Sequence, residues 1–193
     1  MSGLAAVGGF ILEWFVWTRD WIHVLTITGT PAGIEDILLG VGVGGVAAVI
    51  YEEWFGYRLH KRKTYRGKMA LSKMLIILCI SFFLGTILLA TGIHSFYASI
   101  IAMGVPTLFI LALRSDLATD CIFSGLVLVT ISIFTFLFIF SVVPNFQTSY
   151  WRWEYLSGVT LLKIPIENLI WFFFAGSFIA PLYEFWYDLK RTK

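Results

Sequence analysis

Six stretches of the chain are apolar almost throughout: 3–17, 33–55, 71–91, 94–113, 121–143 and 162–187. Nowhere does the sequence alternate apolar and polar residues as a half-buried strand would. A membrane-crossing helix needs about 20 predominantly apolar residues, and the runs fit that length. The pattern predicts an all-α fold, a polytopic transmembrane bundle of about six helices. The first run is short and holds Glu13. Pro106 and Pro181 fall inside runs, where neighbouring helices in a membrane protein can re-satisfy the freed backbone groups.

Composition agrees. Of the 193 residues, 59% are hydrophobic, 18% aromatic and only 13% charged, against about 25% charged in an ordinary soluble domain. The net charge of +2 is too small to imply a nucleic-acid partner. Cys79 and Cys121 lie in apolar runs and read as small core residues, with neither a disulfide nor a metal role. The opening "MSGLAAVGGF" lacks the basic region of a cleaved signal peptide.

Charge is unevenly placed. Arg58, Lys61, Arg62, Lys63, Arg66 and Lys68 crowd the loop after the second run. The positive-inside rule assigns that loop to the cytoplasm. Counting from it, both termini are expected to be cytoplasmic in a multi-pass protein of the cell membrane. Lys190, Arg191 and Lys193 in the tail fall on the same side, as does the loop with Arg114, Asp116 and Asp120. Trp14, Trp17, Trp21, Tyr51, Trp54, Tyr150, Trp151, Trp153, Tyr183 and Trp186 collect at the ends of the runs, as interfacial aromatic belts do.

An internal repeat orders these residues. An offset of 132 aligns Ile34 with Ile166, Glu35 with Glu167, Gly44 with Gly176, Ala48 with Ala180, Tyr51 with Tyr183, Glu52 with Glu184 and Trp54 with Trp186. Trp21 falls on Trp153 without a gap. The chain reads as a single membrane domain, 1–193, with one repeat over about 14–56, a second over about 146–188, and linking helices over about 71–143. Both motif helices enter from the same side, so the repeats are expected to be parallel, related by an axis near the membrane normal.

The repeat singles out Glu35 and Glu167. An ionisable residue inside a span is costly and marks a functional candidate. A plainer account is also open: each acid lies near a helix N-terminus, where the macrodipole favours an anion. Lys163, four residues before Glu167, offers an ion-pair partner. Helical spacing sets Trp171, Phe174 and Phe178 in a stripe below Glu167, and Leu39, Gly42 and Val46 below Glu35. Aromatic stripes serve packing and lipid contact. Beside a buried acid they can also line a pocket for a polyene and stabilise a passing positive charge.

Other motifs fail their context. Gly40, Gly42 and Gly45 spell G-x-G-x-x-G, but no strand precedes them as a dinucleotide turn requires; they read as a helix-packing surface. "YEEWFGYR" has four residues between its acid pair and the arginine and lacks a following histidine pair, unlike intramembrane CAAX-type proteases. Glu52 and Glu53 read as interfacial charges. His23, His60 and His94 are scattered, so no metal site is expected. No lysine stands mid-way in the last span, as a retinal Schiff base would need.

"IPIENLIWFFFAG" resembles the Pro-x-Glu-Glu-x-x-x-Phe-Phe signature of the lycopene cyclase domain family, the flavin-free membrane type. The similarity extends over "YWRWEYLSGVTLLKIPIEN", and "WTRDWIHVLTITGTPAGIED" looks like a first copy. Asn168 takes the place of the signature's second acid, and two extra residues follow Pro31 in the first copy. The resemblance implies a fusion of two small three-helix units that cyclises a carotenoid end group. The reaction adds a proton to a terminal C=C, closes a ring through a carbocation and loses another proton, with no net redox change and no cofactor. This is general acid–base work, and a carboxyl group in an apolar site suits it because burial disfavours the charged form. Glu35 and Glu167 are the expected catalytic acid/base pair, with Asp36 and Asn168 orienting them. Trp171, Phe174, Phe178, Trp21 and Trp153 are the expected pocket wall. The expected partners are membrane lipid and a long apolar polyene or isoprenoid substrate, with self-association and other carotenoid enzymes left open. Two rival readings share these residues: a transporter binding a proton or cation at the two acids, and a non-catalytic isoprenoid-binding protein on the same scaffold.

Overall fold

A computed structural model describes residues 1–15, 29–30, 32–61 and 67–192. Among these residues, seven α-helices follow in chain order: α1 (Ser2–Phe15), α2 (Ile34–Phe55), α3 (Gly67–Ala90), α4 (Ser95–Leu113), α5 (Ala118–Val142), the short α6 (Phe146–Tyr150) and α7 (Ile166–Tyr187). Four short strands accompany them: β1 (Arg58–Lys61), β2 (Thr160–Leu161), β3 (Ile164–Pro165) and β4 (Leu189–Thr192). Five of the helices are long and apolar enough to cross a membrane. The protein is therefore an all-α membrane bundle, as the apolar runs predict. At 14 residues, α1 spans only about 21 Å. Trp17, Trp21, His23, Pro31, Arg62, Lys63, Arg66 and Lys193 lie outside the described residues.

α7 is the hub. It packs against α5, α4, α2 and α3, and its span is 56% buried, against 11% for α3 at the periphery. Close approach depends on missing side chains. A Cβ on Gly176 would stand 2.7 Å from the Ser124 carbonyl and 2.9 Å from the Gly125 Cα, so α5 and α7 touch backbone to backbone there. The Ser177 hydroxyl donates to the Cys121 carbonyl across the same seam, at 2.9 Å. α1 and α2 meet the same way: a Cβ on Gly40 would lie 2.7 Å from Ala6 Cα, and one on Gly44 would run into Ala5 Cβ. Such small-residue contacts replace the hydrophobic drive that lipid does not supply. Gly44 and Gly176, aligned by the repeat, thus each seat an antiparallel partner helix. Of the three glycines that the sequence assigned to helix packing, Gly40 and Gly45 face α1, whereas Gly42 turns away from it, with nothing within 4 Å of the place a Cβ would take.

Pro106, inside α4, cannot donate to the Ala102 carbonyl one turn earlier. The Ser81 hydroxyl of α3 bonds that carbonyl instead, at 2.7 Å. A freed backbone acceptor is thereby satisfied from a neighbouring helix.

The repeat is visible in the backbone. α2 and α7 have 22 residues each, and their first and last residues are both 132 apart. Each ends in a left-handed cap, Gly56 (φ 66°) and Asp188 (φ 47°), whose N–H donates to the carbonyl of Glu52 and Glu184 respectively. Beyond the caps, β1 and β4 pair antiparallel, matching Arg58 with Thr192, Leu59 with Arg191, His60 with Lys190 and Lys61 with Leu189. Leu59 and Arg191 are also 132 apart, so the ribbon pairs symmetrically about equivalent residues. The two motif helices therefore end together and run in the same direction.

Candidate functional site

At the N-terminal end of α7, Pro165 caps the helix with extended backbone (φ −55°, ψ 134°) and places Glu167 in the first turn. The chain before it folds back as the β2–β3 hairpin, whose turn residues Leu162 (φ 53°) and Lys163 (φ 68°) are left-handed. The Ile166 N–H closes the hairpin by donating to the Val159 carbonyl, at 3.0 Å. This return brings the Ser157 N–H to Glu167 Oε1 at 2.6 Å. Glu167 is only 3% exposed. Its second oxygen, Oε2, is buried without a hydrogen-bond partner among the described residues. The carboxyl group is thus anchored by one atom and left available at the other. Lys163 does not pair with it: it sits exposed in the hairpin turn.

Glu35 occupies the same position of α2 but is half-buried, beside exposed Ile34, Ile37 and Leu38. No hydrogen bond or ion pair joins it to Glu167. Asp36 turns back on its own helix, accepting the Gly33 N–H at 2.8 Å, which caps the N-terminus. Its counterpart Asn168 is 8% exposed, and its Nδ2 has no partner among the described residues.

The aromatic residues divide into two groups. Trp171 is half-buried. Phe174 lies on the bare face of Gly104 in α4, where a Cβ would stand 3.0 Å from the ring. Phe178 belongs to an interior cluster with Ile77, Ile110, Leu117, Leu182 and Phe185. Phe174 and Phe178 therefore point toward α4 and α3 and contribute to the packing there. A second group caps the bundle near Glu167: Trp151, 1% exposed, sits among Phe136, Phe140, Phe146 and Trp153 at ring distances of 5.4–6.0 Å. Trp153 donates its indole N–H to the Gln147 carbonyl at 3.0 Å. Beside this cap, Leu137, Phe140, Gln147, Leu162 and Lys163 line an open hollow of about 370 Å³.

At the opposite end of the same helices lies a second polar cluster, which the sequence reading did not assemble. Arg191 Nε bonds Glu52 Oε1 at 2.6 Å, and its Nη2 bonds Asp120 Oδ2 at 2.6 Å and Glu184 Oε1 at 3.3 Å. Tyr51 lies under the guanidinium, 4.6 Å from it. The three carboxylates each bring an oxygen within 4.8 Å of the others, close enough to share a cation, and Arg191 supplies one. Burial alone would lower the Arg191 pKa, but Asp120, Glu52 and Glu184 outweigh that effect and hold it above its ordinary value. Glu52, read from sequence as interfacial, is 7% exposed, whereas Glu53 is exposed as expected. The signal lay in the repeat, which aligns Glu52 with Glu184.

Next to it, Arg114 bonds both carboxylate oxygens of Asp116 at 2.8 Å, Asp188 at 3.1 Å and the Leu189 carbonyl at 2.8 Å. It ties the turn between α4 and α5 to the end of α7. That turn and the β1–β4 ribbon therefore share one end of the bundle, as the charge count predicts.

Fold and site define a membrane helix bundle with a buried, half-anchored carboxyl group at the head of its central helix. A family model described as lycopene cyclase matches residues 94–186, from the start of α4 almost to the end of α7. The resemblance carried by "IPIENLIWFFFAG" is thereby shown, and at the level of the family it points to carotenoid cyclisation. Glu167, Asn168 and the aromatic cap lie within the matched stretch, and Glu35 lies before it. No curated protein and no solved structure matches the chain.

Proposed function

We propose that the protein is a membrane-embedded cyclase of carotenoid or related isoprenoid end groups, with Glu167 delivering the initiating proton. The carrying observation is the asymmetry of its carboxyl group: Oε1 is held by the Ser157 N–H while buried Oε2 has no partner. In the acid form the accepting oxygen acts as the carbonyl, so the proton sits on Oε2. It passes to one carbon of a terminal C=C, leaving the charge on the other. An internal double bond of the chain attacks that cation and closes the ring. A carboxylate then removes a proton from a ring carbon to form the new C=C, so one proton enters, one leaves and no electrons are exchanged.

Glu35, at the matching position of α2, is the proposed acceptor of the leaving proton. Asp36 and Asn168 orient the two motif-helix heads. Trp171 and Phe174 on α7 and Trp153 in the aromatic cap offer π faces to the cation and keep water from quenching it. Trp21 is proposed for the equivalent place in the first repeat. The test is expression in a lycopene-accumulating host, with pigments resolved by chromatography. Cyclic products that disappear in Glu167→Gln support the reading; linear lycopene alone, with the protein inserted in the membrane, counts against it.

A further inference from the structure

We propose that the outward face of the β1–β4 ribbon binds the headgroups of anionic phospholipids in the leaflet it touches. The two strands sort charge by face. Strand alternation turns Arg58, His60, Lys190 and Thr192 outward, where all four are exposed. Leu189 is buried on the other face, and Arg191 reaches inward from it to Glu52, Asp120 and Glu184. Glu52, Asp120 and Glu184 thus serve the interior, and the outward face of the two strands carries no acid of its own.

His60 and Lys190 are direct register partners. That pairing sets the Lys190 ammonium opposite an imidazole rather than a carboxylate, so no acid of the ribbon neutralises its charge. Arg58 adds a third basic group on the same face. No ion pair to a protein carboxylate involves Arg58, His60 or Lys190 among the described residues.

Depth selects the anion. Trp54 and Phe55, at the end of α2, are 69% and 44% exposed, and exposed aromatics at the end of a span sit at headgroup level. Arg58 follows only three residues later, so the ribbon lies at the height of the lipid phosphates. Symmetry makes the arrangement more than a scatter of topogenic charges. Arg58 and Lys190 are equivalent positions of the two repeats, 132 apart, and the pairing holds both on one rigid surface. A loop that needed positive charge only to fix its orientation would require neither the register nor the shared face. The expected orientation, with this end in the cytoplasm, puts the ribbon against the leaflet where acidic lipids concentrate.

The experiment uses the full chain purified in a neutral detergent, offered phosphatidylglycerol or phosphatidylcholine, with retained lipid counted by native mass spectrometry. The wild type is expected to retain phosphatidylglycerol preferentially, and salt should erode that preference. The double substitution Arg58→Gln/Lys190→Gln should weaken apparent phosphatidylglycerol affinity about thirtyfold, the combined effect of two basic residues near an anionic surface. Arg58→Lys/Lys190→Arg should keep it. Equal retention of the two lipids by the wild type overturns the proposal, as does a preference that survives the glutamine pair or ignores salt. Competition by inorganic phosphate at concentrations matching the lipid would assign the face to a free ion and overturn it as well. Should the glutamine pair fail to insert, the wild-type lipid and salt titrations still decide.

Discussion

Leu59 and Arg191 face each other across the β1–β4 ribbon and are also the same position of the two repeats. The pairing is therefore symmetric, while the residues on it are not. One repeat places an aliphatic side chain at the symmetric position, and the other an arginine that reaches Glu52 from the first repeat and Glu184 from the second. A single cation thus ties together the ends of both motif helices.

Removing that cation should be costly. Arg191→Met leaves three buried carboxylates facing one another, and breaking a buried ion cluster by losing one partner typically costs about 3–5 kcal/mol. A large fall in thermal stability in detergent is expected. Adding Glu52→Gln and Glu184→Gln to Arg191→Met should recover part of it, because two of the three facing carboxylates are then neutral and only Asp120 remains.

Two glycines of similar appearance in sequence should respond unequally to alanine. Gly176→Ala drives a methyl group to within 2.7 Å of the Ser124 carbonyl, and overpacking of this kind costs about 1–3 kcal/mol. Gly42→Ala meets nothing within 4 Å and should leave stability within about 0.5 kcal/mol. Thermal unfolding of the two variants side by side checks the α5–α7 seam.

The spans were legible because lipid imposes long apolar runs, and the observed helices fall on them. The repeat marked Glu35 and Glu167 as equivalent positions, and both fall in the first turn of their helices. The Arg191 cluster was not legible, although Glu52 and Glu184 were aligned. Acids and bases at span ends ordinarily meet water, and only the tertiary fold carries Asp120 of α5 to the tail. The anchoring of Glu167 was hidden for a different reason. Leu162 and Lys163 lack the Asn-Gly character of a tight hairpin turn, so nothing in the letters announces the return that delivers the Ser157 N–H. Lys163, a plausible helical partner for Glu167 by spacing, is in that turn and outside the helix.

The anchoring hydrogen bond makes a discriminating prediction. Ser157→Pro removes the N–H that holds Glu167 Oε1, and Leu156, at φ −107° and ψ 154°, already has the extended backbone that precedes proline. Cyclase activity should fall about tenfold, the order expected for losing one hydrogen bond to a carboxyl group. Ser157→Ala keeps the N–H and should retain activity. Equal losses in both variants would show that the hydroxyl, not the backbone, matters.

Acid-initiated cyclisation is tested most directly by the origin of the proton. Cells or membranes converting lycopene in heavy water should yield product with one non-exchangeable deuterium per new ring, read by mass spectrometry, because the carbon that gains a proton is not the one that loses one. Glu167→Gln should abolish this labelled product, a loss of at least about a hundredfold. Unlabelled rings, or undiminished labelled rings from Glu167→Gln, would contradict the assignment of Glu167 as the proton donor.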